Sequence, residues 1–332
     1  MIKALALFSG GLDSILACRV IAGQGIAVTA LRFVSPFFGY EMLADEMQYR
    51  ATVREKYGVE VVLRDISTPY LQLLRHPPHG FGKNFNPCID CKIMLMKAAR
   101  ELMPEFGASF LISGEVIGQR PMSQRRDTLR LIERDSGCEG ILLRPLCARG
   151  LEPTRPEIEG LVDREKLHKF QGRGRGPQRD LAAGFGITDY PNAGGGCVLT
   201  DPILAKRIER FYREHQEVRV SDMRLILVGR QFVLPSGGWL CLGRDEKEND
   251  RLQALAGKED WVLVMESRPG PTALLRFSGN LEELQSAAEL VVRFGKKDPA
   301  APGAVVTATR GGEKVLLKAL PMRDELFQTW YF

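Results

Sequence analysis

The chain has 332 residues, of which 44% are hydrophobic and 26% charged, and its formal net charge is +5. This length favours two domains, and the apolar fraction excludes a largely disordered chain. No apolar run reaches the ~20 residues that a membrane-spanning helix needs, so a spanning protein is excluded and no membrane partner is expected. The first apolar stretch is too short for a secretory signal. We therefore expect a cytoplasmic protein, in which clustered members of the seven cysteines are ligands or reactive thiols.

The first half of the sequence alternates between strand and helix patterns. In chain order these patterns predict a strand at 2–8, a helix at 13–22, a strand at 26–33, a helix at 42–56, a strand at 59–63, a helix at 90–103 and a strand at 109–112. Strands that are separated by helices are typical of parallel sheets, because a parallel connection needs a long crossover. The sequence therefore predicts an α/β fold with a doubly wound parallel sheet.

The second half has a different texture. Residues 150–186 are polar and rich in Gly, Arg and Pro, and we predict a helix followed by an exposed loop there. Beyond them we predict strands at 218–228, 231–234, 239–242, 260–265, 305–309 and 314–319, and helices at 246–256 and 281–294. Three parts follow from this pattern: a first domain at 1–186, a cysteine loop with a connecting helix at 187–216, and a smaller α+β domain at 217–332.

The motif SGGLDS at residues 9–14 lies between the first predicted strand and the first predicted helix. Glycines allow backbone amides to approach a phosphate, and the start of a helix adds partial positive charge. An ordinary turn with a helix cap is the alternative interpretation. The position of the whole motif favours nucleotide binding, with a carboxylate that can hold Mg²⁺ or orient the loop. The predicted nucleotide-binding residues of this motif are Ser9, Gly10, Gly11, Asp13 and Ser14.

This motif resembles the SGGxDS fingerprint of the PP-loop ATP pyrophosphatases. The resemblance implies that ATP is cleaved between its α and β phosphates, that a carbonyl oxygen of the substrate is adenylated, and that a nucleophile then displaces AMP. The GxxxxGK[ST] pattern of P-loop kinases is absent from the sequence.

Three cysteines stand out by their context. Cys88 and Cys91 lie in the string NPCIDCK at the predicted start of a helix, where the helix dipole is expected to lower the thiol pKa values. Cys197 follows three consecutive glycines at 194–196, which indicate a tight loop. Two buried thiols or half of a zinc site are the alternatives for the first pair, although a second CxxC is absent.

Together with the later string GCVLTDP, this pattern resembles the tRNA thiolation branch of the same family, the 4-thiouridine synthetases and 2-thiouridylases. The resemblance implies that Cys91 and Cys197 are the working pair and, with Asp13, the catalytic residues. It also implies that Cys88, Cys91 and Cys197 hold a [4Fe–4S] cluster with one iron left open to bind hydrosulfide. A persulfide or disulfide relay between Cys91 and Cys197 is the alternative, followed by zinc or inert thiols.

A further stretch, at residues 111–124, follows a predicted strand and resembles the TGDxxGQxxSQ segment of thiouridine synthetases. The resemblance makes Gly114 and Gln119 candidates for the nucleotide pocket. Helix capping or surface polarity is the alternative for Gln119.

Two groups of basic residues lie outside these motifs. Residues 164–179 contain six Lys or Arg and one Glu, and a second group consists of Arg120, Arg125, Arg126 and Arg130. Such groups can follow a phosphate backbone. A solvated loop is an equal alternative for the first group.

Residues 231–252 resemble the RNA-binding R domain of NFACT proteins. The following strand departs from that pattern, because residues 260–266 lack the expected His. A dimerisation or packing domain is the alternative.

Taken together, these features predict an ATP-dependent tRNA uridine sulfurtransferase that uses ATP, Mg²⁺ and a [4Fe–4S] cluster. Its expected partners are a tRNA substrate and a sulfur donor, either sulfide or a persulfide carrier protein. Sulfur transfer to a small metabolite, or a non-catalytic RNA-binding adaptor, are the alternatives. The sequence leaves open the modified uridine, the choice between 2-thio and 4-thio products, and the oligomeric state.

Overall fold

The computed structural model describes residues 2–191, 197–278 and 280–332. The glycine run at 194–196 that the sequence singled out therefore lies outside the described residues. The chain divides into two compact units, Met1–Lys206 and Arg207–Phe332. Within the described residues, no helix combines the length and the apolar character that crossing a bilayer requires.

The first unit is built on a parallel sheet. Its strands are β1 (Lys3–Leu7), β2 (Ala27–Val34), β3 (Glu60–Asp65), β4 (Phe110–Ser113) and β5 (Leu142–Leu143). All pairings are parallel, and the strand order is β3-β2-β1-β4-β5. This arrangement confirms the predicted doubly wound α/β fold. The order reverses between β1 and β4, and ligands of such folds bind at the carboxyl ends of strands at this reversal.

Helices connect and cover these strands. They are α1 (Leu12–Ala22), α2 (Glu46–Tyr57), α3 (Ser67–Leu73), α4 (Cys88–Phe106), α5 (Arg126–Ser136), α6 (Arg155–Ile158) and α7 (Gly176–Gly184). The predictions identified α1, α2 and α4 but missed α3 and α5. In the region 150–186 the short helix α6 precedes the loop at 167–175 as predicted, but the predictions missed α7, which follows the loop and has Pro177 as its second residue.

The second unit contains an antiparallel sheet. Its strands are β6 (Arg230–Val233), β7 (Trp239–Leu242), β8 (Trp261–Met265), β9 (Ala273–Arg276), β10 (Ala304–Arg310) and β11 (Glu313–Ala319), in the order β11-β10-β8-β9-β7-β6. Helix α8 (Pro202–Glu214) contains the boundary between the units, and α9 (Val220–Ile226), α10 (Glu246–Leu255), α11 (Leu281–Phe294) and α12 (Asp324–Phe327) follow. The buried face of α11 packs against this sheet.

The strand predicted at 218–228 is wrong, since most of this stretch is helix α9. The Asp222 carboxylate accepts a hydrogen bond from the Arg219 amide at 2.9 Å, which closes the first turn of the helix. The same carboxylate pairs with buried Arg276 at 2.6 Å. Met223 and Ile226 are buried three residues apart, as a helix requires. The strand preference of the local β-branched residues is therefore outweighed by the capping hydrogen bond at the start of the helix and by the buried ion pair with Arg276.

Candidate functional site

The phosphate loop at residues 9–14 joins β1 to α1. Gly10 has a φ of +74°, which a residue with a side chain rarely adopts. The Ser14 hydroxyl donates to the Gly11 carbonyl at 2.8 Å, and the Gly11 amide donates to the Ser9 hydroxyl at 3.3 Å. Within the described structure no side chain caps α1. The amides at the start of this helix therefore point to a place where a phosphate can bind.

Gly114 packs directly against this loop. A Cβ placed on Gly114 would lie 2.5 Å from the Asp13 carbonyl group and 2.5 Å from the Ser14 nitrogen. Real Cβ atoms do not come so close, so only glycine permits this approach of the end of β4 to the loop. Gly114 thus shapes the phosphate loop through its backbone.

Asp13 is the centre of a polar cluster. Its Oδ2 accepts a hydrogen bond from Gln119 Nε2 at 2.5 Å and lies 3.4 Å from an Arg175 guanidinium nitrogen. Gln178 Nε2 in turn donates to Gln119 Oε1 at 3.0 Å. In the described part of the chain, the other Asp13 oxygen, Oδ1, is buried and has no hydrogen-bond partner. A buried carboxylate oxygen without a partner fits a Mg²⁺ ligand, because Mg²⁺ binds through one or two carboxylates together with substrate phosphates.

Arg32 is a loop contact that the sequence analysis missed. This residue lies on β2, and its guanidinium donates to the Ser9 carbonyl. Burial lowers its pKa, and Tyr49 and Glu41 oppose that effect. No sequence motif marks an arginine near the end of a strand. Its contact with the phosphate loop follows only from the register of β2 beside β1.

The structure brings Cys197 to the NPCIDCK segment. Asn84 Nδ2 donates to the Thr200 carbonyl at 2.7 Å, and the Thr200 hydroxyl donates to the Cys197 carbonyl at 2.7 Å. Asn86 Nδ2 lies 3.1 Å from Cys88 Sγ. The first contact joins two segments that are more than 100 residues apart in sequence. Cys88 and Cys197 both lie near enough to Cys91 to raise the pKa of its thiol, so the three cysteines form one cluster.

Tyr70, on α3, is the second residue that the sequence analysis missed. It is 1% exposed, and its hydroxyl is hydrogen-bonded to the thiols of Cys91 and Cys197. Burial and then the two cysteines raise the pKa of this tyrosine well above its usual value, so it stays a hydrogen-bond donor. Its ring packs edge-on against Phe38, with 5.3 Å between the ring centroids. No motif marked this tyrosine because helix α3 was not predicted.

The expected lowering of the thiol pKa is wrong for Cys91. Burial raises the pKa of Cys91 to about 12, against the hydrogen bond from Tyr70, and Cys197 and Cys88 raise it further. Burial likewise raises the pKa of Cys197 to about 11. The thiolate form loses more hydration free energy on burial than it gains from the dipole at the start of the helix. Burial therefore raises the pKa more than the dipole lowers it. At neutral pH both groups are neutral thiols in the metal-free protein, and a bound metal would have to displace their protons.

A buried ion network connects the cysteines to the phosphate loop. Lys92, next to Cys91, is paired with Glu115, and Arg144 Nε donates to Glu115 Oε2 at 2.9 Å. Burial alone would raise the pKa of Glu115, but Lys92 and Arg144 outweigh it and lower that pKa to about 2. Because Glu115 follows Gly114, the thiol cluster and the phosphate loop are held by adjacent residues.

The three thiols form a potential metal-binding set. All seven cysteines are free, and among the described residues no three His, Cys, Asp or Glu side chains are grouped closely enough for one ion. This argues against a preformed mononuclear zinc site. A [4Fe–4S] cluster binds each thiolate at a different iron and so spreads its ligands around the cube. Three neighbouring, partly buried cysteines fit such a group.

Comparisons with known proteins divide the chain in the same way as the motifs. Residues 2–152 match the family described as "Thiamine biosynthesis protein (ThiI)", and residues 229–331 match the "NFACT protein RNA binding domain". Both resemblances that the motifs predicted are thereby confirmed.

Curated relatives and solved structures add to this picture. A "Probable tRNA sulfurtransferase" from Thermoanaerobacter pseudethanolicus is 32% identical over 223 residues, which cover 66% of this chain and 52% of the relative. The chain spans about half the length of the curated relatives it matches. One similar structure is a 4-thiouridine synthetase–RNA complex with bound ATP, at 21% identity and a TM-score of 0.38, covering 68% of this chain and 52% of the other. Another is the U34-tRNA thiolase NcsA from Methanococcus maripaludis with its [4Fe–4S] cluster, at 16% identity and a TM-score of 0.33, covering 68% and 70%.

Proposed function

We propose that this chain, with a ThiI-type first domain and an NFACT-type RNA-binding domain, is an ATP-dependent tRNA uridine sulfurtransferase. The observation that carries the proposal is the convergence of Cys88, Cys91 and Cys197 around Tyr70. This cluster is tied to the phosphate loop through Glu115 and its neighbour Gly114. An ATP-activated carbonyl and a bound sulfur can therefore face each other across the carboxyl edge of the sheet.

The ATP half of the reaction belongs to the loop at 9–14. The amides of this loop and of the start of α1 bind the phosphates, and the hydroxyls of Ser9 and Ser14 add hydrogen bonds. Asp13 would hold Mg²⁺ through Oδ1, which has no hydrogen-bond partner among the described residues, while Gln119 and Arg175 fix its other oxygen. When bound, Mg²⁺ supplies positive charge to the departing pyrophosphate.

The sulfur half belongs to the three cysteines. Cys88, Cys91 and Cys197 would hold a [4Fe–4S] cluster, which supplies an open iron as a Lewis acid for hydrosulfide. Tyr70 helps to orient the sulfurs of Cys91 and Cys197, since its single hydroxyl hydrogen can be donated to either of them. A uridine must leave its stack to reach such a buried group.

Sulfur transfer to a small metabolite is the second candidate, and the description of the matching family as a thiamine biosynthesis protein favours it. The match of residues 229–331 to an RNA-binding domain favours tRNA instead.

The test is an anaerobic assay of pyrophosphate release from ATP in the presence of sulfide, with and without tRNA. We expect pyrophosphate release that depends on tRNA, and thiolated nucleosides in the RNA recovered. Cys197→Ala should abolish the thiolated product. Cys138→Ala, which removes a buried cysteine of the same unit outside the cluster, is the control and should retain the product.

Each alternative predicts a different result in this assay. Pyrophosphate release that ignores tRNA but depends on a small acceptor would favour the metabolite. RNA binding without any pyrophosphate release would favour a non-catalytic RNA-binding adaptor.

A further inference from the structure

The two basic groups of the sequence meet at one pocket of the first unit. Arg126 and Arg130 come from the group near residue 125, and Lys169 comes from the basic segment 164–179. Arg144 and Arg149 complete the basic lining of a cavity of about 340 Å³. No residue of the phosphate loop lines this cavity, so it is distinct from the proposed ATP site.

Basic side chains outnumber acidic ones in the lining of this pocket: five Lys or Arg stand against Glu133, Glu152 and Glu157, and Glu152 offsets only part of the positive charge. Glu133 is paired with Arg144, and Glu157 is paired with Arg164, so neither acidic group offsets the other cations. In the described part of the chain, Arg130 and Lys169 have no ion-pair partner. Arg149 lies 3.5 Å from Glu165 in an exposed pair, which contributes little.

Arg126 is anchored toward the pocket, because its guanidinium donates to the Gly150 carbonyl at 2.8 Å. Arg126 and Arg130 are four residues apart and therefore share one face of α5.

The buried wall of the pocket also carries a hydrogen-bond donor without a partner. The Arg144 side chain is 1% exposed and is held by Glu115 and Glu133. In the described residues its remaining nitrogen, Nη2, is buried and has no hydrogen-bond partner. A fixed guanidinium with an unused donor suits an oxyanion, because its geometry is set before the ligand arrives.

We propose that this pocket is a phosphate-binding site that receives a backbone phosphate of the RNA substrate. The cavity of about 340 Å³ is larger than one phosphate needs, and three of its arginines, Arg126, Arg130 and Arg149, are exposed. This assignment rests on the proposed RNA substrate. Phosphate chemistry itself is shared with inorganic phosphate, so the test has an arm for each source.

The first arm measures the affinity of the full chain for tRNA at several salt concentrations. The variant is Arg130→Ala/Lys169→Ala, and the control is Arg134→Ala, which removes an exposed arginine of the same helix that does not line the pocket. For the double variant we expect at least fivefold weaker binding, and a salt slope smaller by about one for each lost phosphate contact. The control should bind tRNA like the wild type.

The second arm titrates inorganic phosphate and follows it by ³¹P NMR. If the double variant loses binding of inorganic phosphate but keeps the wild-type affinity for tRNA, the pocket is a phosphate site that does not receive the RNA backbone. That result would overturn RNA as the source of the phosphate. Variant and control behaving alike with both probes would overturn the site. If the wild type bound no tRNA at all, the proposed function would fail, and the phosphate arm alone would decide whether the pocket binds phosphate.

Discussion

Gly114 lies so close to Asp13 that a methyl group on Gly114 would come within 2.5 Å of the Asp13 carbonyl oxygen. This contact joins the start of α1, which follows β1, to the end of β4, where the order of the sheet reverses. The residue after Gly114, Glu115, is paired with Lys92 beside the CxxC motif. The backbone approach therefore determines how far the phosphate loop lies from the thiols.

Replacing Gly114 by alanine should displace the phosphate loop. Forcing a methyl group into packed structure costs about 1–3 kcal/mol. We expect Gly114→Ala to weaken ATP binding by about tenfold, equivalent to about 1.4 kcal/mol. Gly184→Ala is the control, since a Cβ there meets nothing within 4 Å. Isothermal titration with ATP measures the difference, and equal affinities in the two variants would refute the role of this contact.

Removing the Tyr70 hydroxyl should slow sulfur transfer but not ATP activation. Tyr70→Phe keeps the ring packing against Phe38 and loses the hydrogen bonds to the thiols. A hydrogen bond to a charged group contributes about 1.5–3 kcal/mol, so we expect a rate of sulfur transfer lower by about tenfold or more. Single-turnover assays should show pyrophosphate release at the wild-type rate. The control is Tyr57→Phe, another tyrosine of the first unit; a loss of both half-reactions in Tyr70→Phe would indicate a merely structural role.

Much of the fold followed from the sequence, because hydrophobic periodicity and glycine motifs are local signals. They predicted β1, α1 and the hairpin of β10 and β11, whose turn glycines Gly311 and Gly312 have φ values of 53° and 96°. The strand predicted at 218–228 failed because its helix depends on a distant partner, Arg276.

The same limit applies to the site. Motifs identified the cysteines and the phosphate loop, whereas Arg32 and Tyr70 were missed because tertiary packing alone brings them to their partners. The shift in the pKa of the Cys91 thiol was predicted in the wrong direction. The position of a cysteine at the start of a helix does not reveal how deeply the folded protein buries it.

The charge of Glu115 should stabilise the first unit at neutral pH. Its pKa is lowered from 4.5 to about 2, so the stabilisation is complete above pH 4.5 and is lost as the pH falls toward 2. A shift of this size corresponds to about 3 kcal/mol. In chemical unfolding followed by far-UV circular dichroism, the stability difference between wild type and Glu115→Gln should be constant above pH 5 and should narrow below it.

An internal control is available for this measurement. All three tryptophans lie in the second unit, at 239, 261 and 330. Tryptophan fluorescence should therefore report no effect of Glu115→Gln at any pH. A stability difference that stays constant down to pH 2 would contradict the assigned ion network.

The three cysteines should determine iron content together. After anaerobic reconstitution we expect a brown protein with about four iron atoms per chain, as a [4Fe–4S] cluster requires. Cys88→Ala, Cys91→Ala and Cys197→Ala should each lose most of this iron, whereas Cys138→Ala should keep it. Colourless wild-type protein with full activity under the same conditions would rule the cluster out and favour a persulfide relay.

The most direct measurement is mass spectrometry of tRNA nucleosides from cells with and without this protein. The account predicts that one thiolated uridine disappears without the protein, and that it returns with the wild-type chain or Cys138→Ala but not with Cys91→Ala or Cys197→Ala. Identical nucleosides in both kinds of cell would contradict the assignment of tRNA thiolation to this chain.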